Sequence, residues 1–187
     1  MSAEHLQELL TVLDLTGVGE DAFPGAHPSR NPVRTFGGQM MAQAFVAASR
    51  TVPENLPPST LSMHFIAGGD PAKDLEFQVV RLRDERRFAN RRVDVTQDGA
   101  LLGTALVSHL AGGRGLEHNI TAPEVPAPDS LPTIDELLVG YEETVPHFVS
   151  ALRPIQWRYT NDPAWVMRDK GGQLEHNRVW LTADGPM

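Results

Sequence analysis

The sequence predicts an α+β fold in which an antiparallel sheet wraps around one central helix. Three observations carry this expectation. Gly37 and Gly38 open a run of good helix formers that Pro53 closes. Most of the residues from there to about 110 alternate between apolar and polar, and turn clusters cut them into strand-length pieces. The chain has 187 residues, 41% hydrophobic and 21% charged, so it is of ordinary globular composition and long enough to bury about 70% of its unfolded surface.

Taken in order, residues 4–15 place Leu6, Leu9, Leu10 and Leu13 at helical spacing, and Gly17 and Gly19 stop the pattern. Residues 20–35 carry Pro24, Pro28 and Pro32 and read as irregular chain or a short edge strand. The central helix is expected over about 37–50, with Met40, Met41, Ala44, Phe45 and Ala48 on one broad face. Strands follow at Leu61–Phe65, Leu75–Val79 and Val93–Val95. A last strand has Leu102, Thr104, Leu106 and Ser108 on one face. Gly68-Gly69-Asp70-Pro71 and Asp84-Glu85-Arg86-Arg87 are turns, and Asp98-Gly99 is the dipeptide of a type I′ hairpin.

Composition shifts at residue 111. Pro123, Pro126, Pro128 and Pro132 read as a stiff extended linker, and Asp129 or Thr133 is expected to cap a short helix over 133–144. Strand-like sequence resumes at Ile155–Tyr159 and Asn177–Thr182. The predicted organisation is one domain over 1–115, a linker with a short helix over 116–150, and the first strands of an incomplete second unit over 151–187.

Several function classes are disfavoured. The net charge of −8 argues against a nucleic-acid partner, whose phosphates need a basic surface. The one basic cluster, Arg81, Arg83, Arg86, Arg87, Arg91 and Arg92, either meets an anionic ligand or is a solvated sheet face and hairpin end, and the second reading is preferred. There is no cysteine, hence no thiolate metal site and no cysteine nucleophile, which fits a reducing compartment and a cytoplasmic location. No apolar run approaches the ~20 residues of a membrane span. Nucleophile-elbow, zinc-helix and phosphate-loop motifs are absent, so neither a metal nor a cofactor is expected. His64 reads as a hydrogen-bonded histidine in or near the sheet. Glu117-His118 and Glu175-His176 read as surface residues, and Glu142-Glu143 would point apart on a helix.

The start of the central helix remains. Its first N–H groups have no intrahelical partner and carry the positive end of the helix dipole. A ligand carbonyl placed there would be polarised. Gly37 and Gly38 leave room for that approach, and Gln39 and Gln43 share one face. Gly37, Gly38, Gln39 and Gln43 are therefore the candidate substrate-binding residues. The alternative is that the glycines let the helix pack tightly against the sheet.

Phe36-Gly37-Gly38-Gln39, followed by Ala42-Gln43-Ala44 and by Thr51-Val52-Pro53, resembles the start of the type II acyl-CoA thioesterases, which are double hot-dog proteins. Phe65-x-x-x-Gly69-Asp70 and Leu82-Arg83-Asp84-x-x-x-Phe88-x-x-Arg91-Arg92-Val93 are similar to further motifs of that family. Gln97-Asp98-Gly99 and Ser108 fall in step, and Arg178-Val179-Trp180-Leu181-x-Ala183-Asp184-Gly185 resembles the opening of its second hot-dog unit. Ser59-Thr60-Leu61-Ser62 stands where the family has a His-Ser-x-His pattern, Ala67-Gly68 where it has Arg-Pro, and Glu85 where it has glycine.

The resemblance implies a hot-dog fold, acyl-CoA as substrate, and hydrolysis to free fatty acid and coenzyme A. The basic cluster would then face the phosphates of coenzyme A if it met a ligand at all. The family's catalytic aspartate, threonine and glutamine belong to its second unit and match no residue here. Their places are expected beyond Met187, so no catalytic residue is assigned within 1–187. The glycine-led helix is implied to belong to the first, non-catalytic half, framing the pocket and a homo-oligomer contact through sheet edges. The alternatives are a non-catalytic acyl-CoA-binding or truncated module and, ranked below it, a hot-dog hydratase. The hydratase pattern needs an Asp with a His five residues later, and no such pair occurs.

Overall fold

A computed structural model describes residues 2–28, 34–113, 115–141, 154–172, 176–183 and 185. The chain divides into two compact units, residues 9–116 and residues 117–187 together with 1–8. Helix α1 spans Ser2–Leu13. The unit 9–116 then holds β1 (Ala22–Gly25), α2 (Gly37–Ser49), β2 (Pro58–Phe65), β3 (Leu75–Asp84), β4 (Phe88–Gln97) and β5 (Ala100–Leu110). The five strands form one antiparallel sheet in the order β1-β3-β4-β5-β2. Helix α2 packs against all five, which is the expected sheet around a central helix.

Small side chains let the helix approach the sheet. Ala44, Ala47 and Ala48 are fully buried against a core of Phe77, Val79, Val93, Val95, Ala105 and Val107. The buried face of α2 is rotated from the expected one. It comprises Gln39, Met40, Gln43, Ala44, Ala47 and Ala48, whereas Phe45 and Val46 are only partly buried at its margin. The alanine side of the helix seats deepest because it permits the closest approach.

Strand β4 follows the period of two without a break: Ala89, Arg91, Val93, Val95 and Gln97 face inward. The phase of β5 differs from the reading that put Leu102, Thr104, Leu106 and Ser108 on one face. A bulge between Val95 and Thr96 in the pairing of β4 with β5 turns both Leu102 and Gly103 inward. Beyond it Ala105, Val107 and His109 face the core, while Leu106 lies outside. At the β4–β5 turn Asp98 has φ 49° and Gly99 φ 77°, the two positive angles of a type I′ turn. The described part of the proline-rich stretch before α2 supplies β1, an edge strand paired with β3. His64 lies in the sheet as expected, on edge strand β2, with its side chain exposed.

In the unit 117–187, a 3₁₀ turn at Pro128–Ser130 precedes α3 (Ile134–Leu138). Thr133 caps α3 with a full capping box: its hydroxyl accepts from the Glu136 N–H at 3.3 Å, and its N–H donates to Glu136 Oε2 at 2.7 Å. Donation from the Thr133 N–H, and then from its hydroxyl, holds the Glu136 carboxyl below its ordinary range. Asp129 sits in the 3₁₀ turn instead of capping a helix. Helix α3 ends at Leu138, short of the expected span, where Val139 leaves helical geometry. Residues 142–144 of that expectation, with Glu142-Glu143, lie outside the described residues, as do Glu175 and Met187. Strands β6 (Ile155–Tyr159) and β7 (Val179–Ala183) pair antiparallel, and a helix the sequence did not signal, α4 (Ala164–Asp169), lies between them. Ile134, Leu138 and Tyr159 are the buried centre of this unit, with Trp157 and Trp165 packed around them.

Candidate functional site at the start of α2

Phe36 is the N-cap of α2 and is extended, at φ −71° and ψ 125°, with no side-chain cap. The N–H groups of Gln39 and Met40 turn back to the Phe36 carbonyl. Those of Gly37 and Gly38 occupy the first two helical positions, where no intrahelical acceptor exists. Two aromatic rings stand beside them. A Cβ on Gly37 would lie 3.1 Å from the Phe65 ring, and one on Gly38 would lie 2.5 Å from the Phe36 ring. These rings are 53% and 69% exposed, and Ile66 beside them is 58% exposed. The helix start thus pairs polarising N–H groups with an apolar surround, which suits a carbonyl attached to a hydrocarbon chain.

Gln39 and Gln43 are not aimed outward. Gln43 is fully buried, and its amide donates to the carbonyls of Val12 and Ala26, each at 3.0 Å. Gln39 is 8% exposed and donates to Ala26 O at 3.1 Å and to Gln43 Oε1 at 3.2 Å, with His27 Nδ1 also 3.2 Å away. The two glutamines therefore tie α2 to the end of α1 and to the segment after β1. The spacing of four put them on one face as expected; their engagement with backbone carbonyls had no sequence signal. Thr35 Oγ1 and His27 Nε2 are buried near this end with no hydrogen-bond partner.

The arginines expected as a basic cluster are dispersed. Arg81 binds Asp21 through both its Nε and Nη2, which raises its pKa further. Arg83 pairs with Glu85 and lies over the Phe88 ring, and Arg92 pairs with Asp94. Arg87 donates to Gly112 O. Arg91 is 1% exposed in the core, so it belongs to no surface patch. Its inward phase, two residues from Ala89 and from Val93, is the signal that could have found it. Among the described residues no cluster of three or more His, Asp or Glu could hold a metal ion. None of the described helices is long and apolar enough to cross a membrane.

Residues 26–110 match the family model described as the acyl-CoA thioesterase N-terminal domain. The Homo sapiens protein named acyl-coenzyme A thioesterase 8 is 34% identical over 132 residues, which is 70% of this chain and 41% of that protein. The Haemophilus influenzae protein named acyl-CoA thioesterase 2 is 29% identical over 167 residues, 86% of this chain and 58% of that protein. Among solved structures, the tesB protein of Mycobacterium avium subs paratuberculosis superposes with a TM-score of 0.75 at 27% identity, covering 97% of this chain and 62% of that one. The acyl-CoA thioesterase II TesB2 from Mycobacterium marinum gives 0.69 at 26% identity over the same 97% of this chain. The chain spans about two fifths of the length of the human relative it matches.

Proposed function

The chain belongs to the type II acyl-CoA thioesterase family, and from that premise we propose that it works in the hydrolysis of acyl-CoA to free fatty acid and coenzyme A. Its part is to bind and frame the substrate. The observation that carries this reading is the helix start: two glycine N–H groups without intrahelical acceptors, flanked by the exposed rings of Phe36 and Phe65. The thioester carbonyl would sit on the N–H groups of Gly37 and Gly38, with the acyl chain along the rings. Gln39 and Gln43 act by holding the helix in place, since their amides are occupied by main-chain carbonyls.

The attacking water needs a general base, and the family resemblance gives that role to an aspartate of the second hot-dog unit. At this helix start the His27 ring is turned to Gln39, with its Nδ1 3.2 Å from the amide nitrogen. The base is accordingly assigned to that counterpart unit. The strands β6 and β7 are read as the opening of that second hot-dog unit. The eight-residue edge of β2 carries no Asp, Glu, Lys or Arg and no covering strand among the described residues, so it suits edge-to-edge pairing in a homo-oligomer. We read the setting as cytoplasmic, which the cysteine-free composition fits.

Direct binding tests the reading. Titration with a non-hydrolysable acyl-CoA thioether is expected to show saturable binding that weakens as the acyl chain is shortened. Gly38→Ala is expected to weaken it at least tenfold while changing stability by no more than about 1 kcal/mol, because the exposed Phe36 ring can swing away from the new methyl group. Binding that is unaltered in both Gly37→Ala and Gly38→Ala would remove the helix start from the substrate site.

A further inference from the structure

At the other end of α2 a second polar cluster lies inside the core. His109, from β5, is 1% exposed, and its Nε2 is 3.1 Å from Ser49 Oγ in the last turn of the helix. Its Nδ1 is buried with no hydrogen-bond partner. In the register of the sheet His109 lies opposite Ala89 on one side and opposite Pro58, the first residue of β2, on the other. Arg91 is its diagonal neighbour on the same inner face, opposite Val107. Three elements thus meet at one imidazole.

We propose that His109 is an acid-released latch that joins the C-terminal end of α2 and the start of β2 to the sheet, closed while the ring is neutral and opened when it takes a second proton. A neutral imidazole satisfies Ser49 with one nitrogen and leaves the other, uncharged, in an apolar setting. A protonated ring would hold a buried N–H with no acceptor and a full charge beside a guanidinium that is itself fixed. Among the described residues no neighbouring element supplies a compensating carboxylate. From α2 the facing group is the Ser49 hydroxyl, and exposed Arg50 pairs with Asp14. From β2 it is Pro58, and from β4 it is Ala89 and the Arg91 cation. Asp84, at the end of β3, is engaged by Arg91 Nη2 at 2.6 Å.

Burial first, and then the Arg91 charge, hold the His109 pKa below the ordinary histidine value. The folded state therefore binds fewer protons than the unfolded one. The latch is fully closed above the unfolded value of about 6.5 and is progressively lost as pH falls below it.

The test follows the full-length chain by NMR. The His109 ring is expected to stay neutral to a lower pH than free histidine. The amides of Ser49, Arg50, Thr51 and Val52 are expected to lose protection against hydrogen exchange as pH falls below about 6.5, after correction for intrinsic rates. The loss approaches, at most, about tenfold per pH unit, the limit for one proton. His109→Asn should abolish that dependence at those four amides while leaving the exchange of β3 unchanged. A ring that titrates at or above the free-histidine value would overturn the latch, and so would the same pH dependence in His109→Asn. Should His109→Asn fail to fold, the ring titration of the unaltered chain decides alone.

Discussion

Replacing Arg91 by alanine is expected to be among the most damaging single changes in the unit 9–116, lowering its stability by about 3–5 kcal/mol. The guanidinium is 1% exposed and serves five acceptors at once. It donates to Thr51 Oγ1 at 2.7 Å and Thr51 O at 3.0 Å, just beyond α2. It also donates to Asp84 Oδ1 at 2.6 Å and to the carbonyls of Asn90 at 3.0 Å and Arg83 at 3.4 Å. Alanine would leave a cavity and strand several of these acceptors. Lysine keeps the charge but not the planar fork, so Arg91→Lys should fall between the two. Asp84→Ala should cost only about 1 kcal/mol, because that carboxylate is half-exposed and water can replace it. Denaturant midpoints at constant slope check the order. An Arg91→Ala loss no larger than that of Asp84→Ala would mean that the main-chain contacts of Arg91 contribute little.

Gln43→Leu is the second large effect, expected to cost about 2–4 kcal/mol despite nearly equal volume. Two carbonyls, Val12 O and Ala26 O, lose a donor, and Gln39 loses its acceptor. Gln39→Leu should cost less, because Gln39 is slightly exposed and Gln43 still serves Ala26 O. The double variant should be more damaging than the sum of the singles, since either amide alone still serves Ala26 O and only the double leaves that carbonyl without a side-chain donor. Additive losses in thermal or denaturant unfolding would contradict the shared role.

Much of this architecture is legible in the chain. The glycine-led helix, the alternation of β4 and the Asp98-Gly99 turn each follow from local chemistry, and each stands where that chemistry puts it. The phase of β5 is not legible, because the bulge that turns Leu102 inward depends on how β4 pairs with it. Residue type also misleads where burial is decided by long-range partners. Arg91 reads as a surface cation, and two of the acceptors that make its burial tolerable lie on Thr51, forty positions earlier in the chain. Gln39 and Gln43 read as substrate-binding candidates on one helix face, and their hydrogen-bond partners were not legible for the same reason. Their acceptors, on Val12 and Ala26, are brought near only by the fold.

The helix start was legible as backbone, in the paired glycines, but not as a surface. That Phe65, from β2, flanks Gly37 follows from the packing of α2 against the edge of the sheet. The family match over residues 26–110 covers this region and supports its reading as a substrate-framing half.

Thiol release from a long-chain acyl-CoA by the purified 187-residue chain tests the central claim most directly. The proposed division of labour, with binding here and the general base in the counterpart unit, requires hydrolysis no faster than the background rate, although the same preparation binds the thioether analogue. Turnover well above background that survives repurification would place the catalytic groups within this chain and contradict that division.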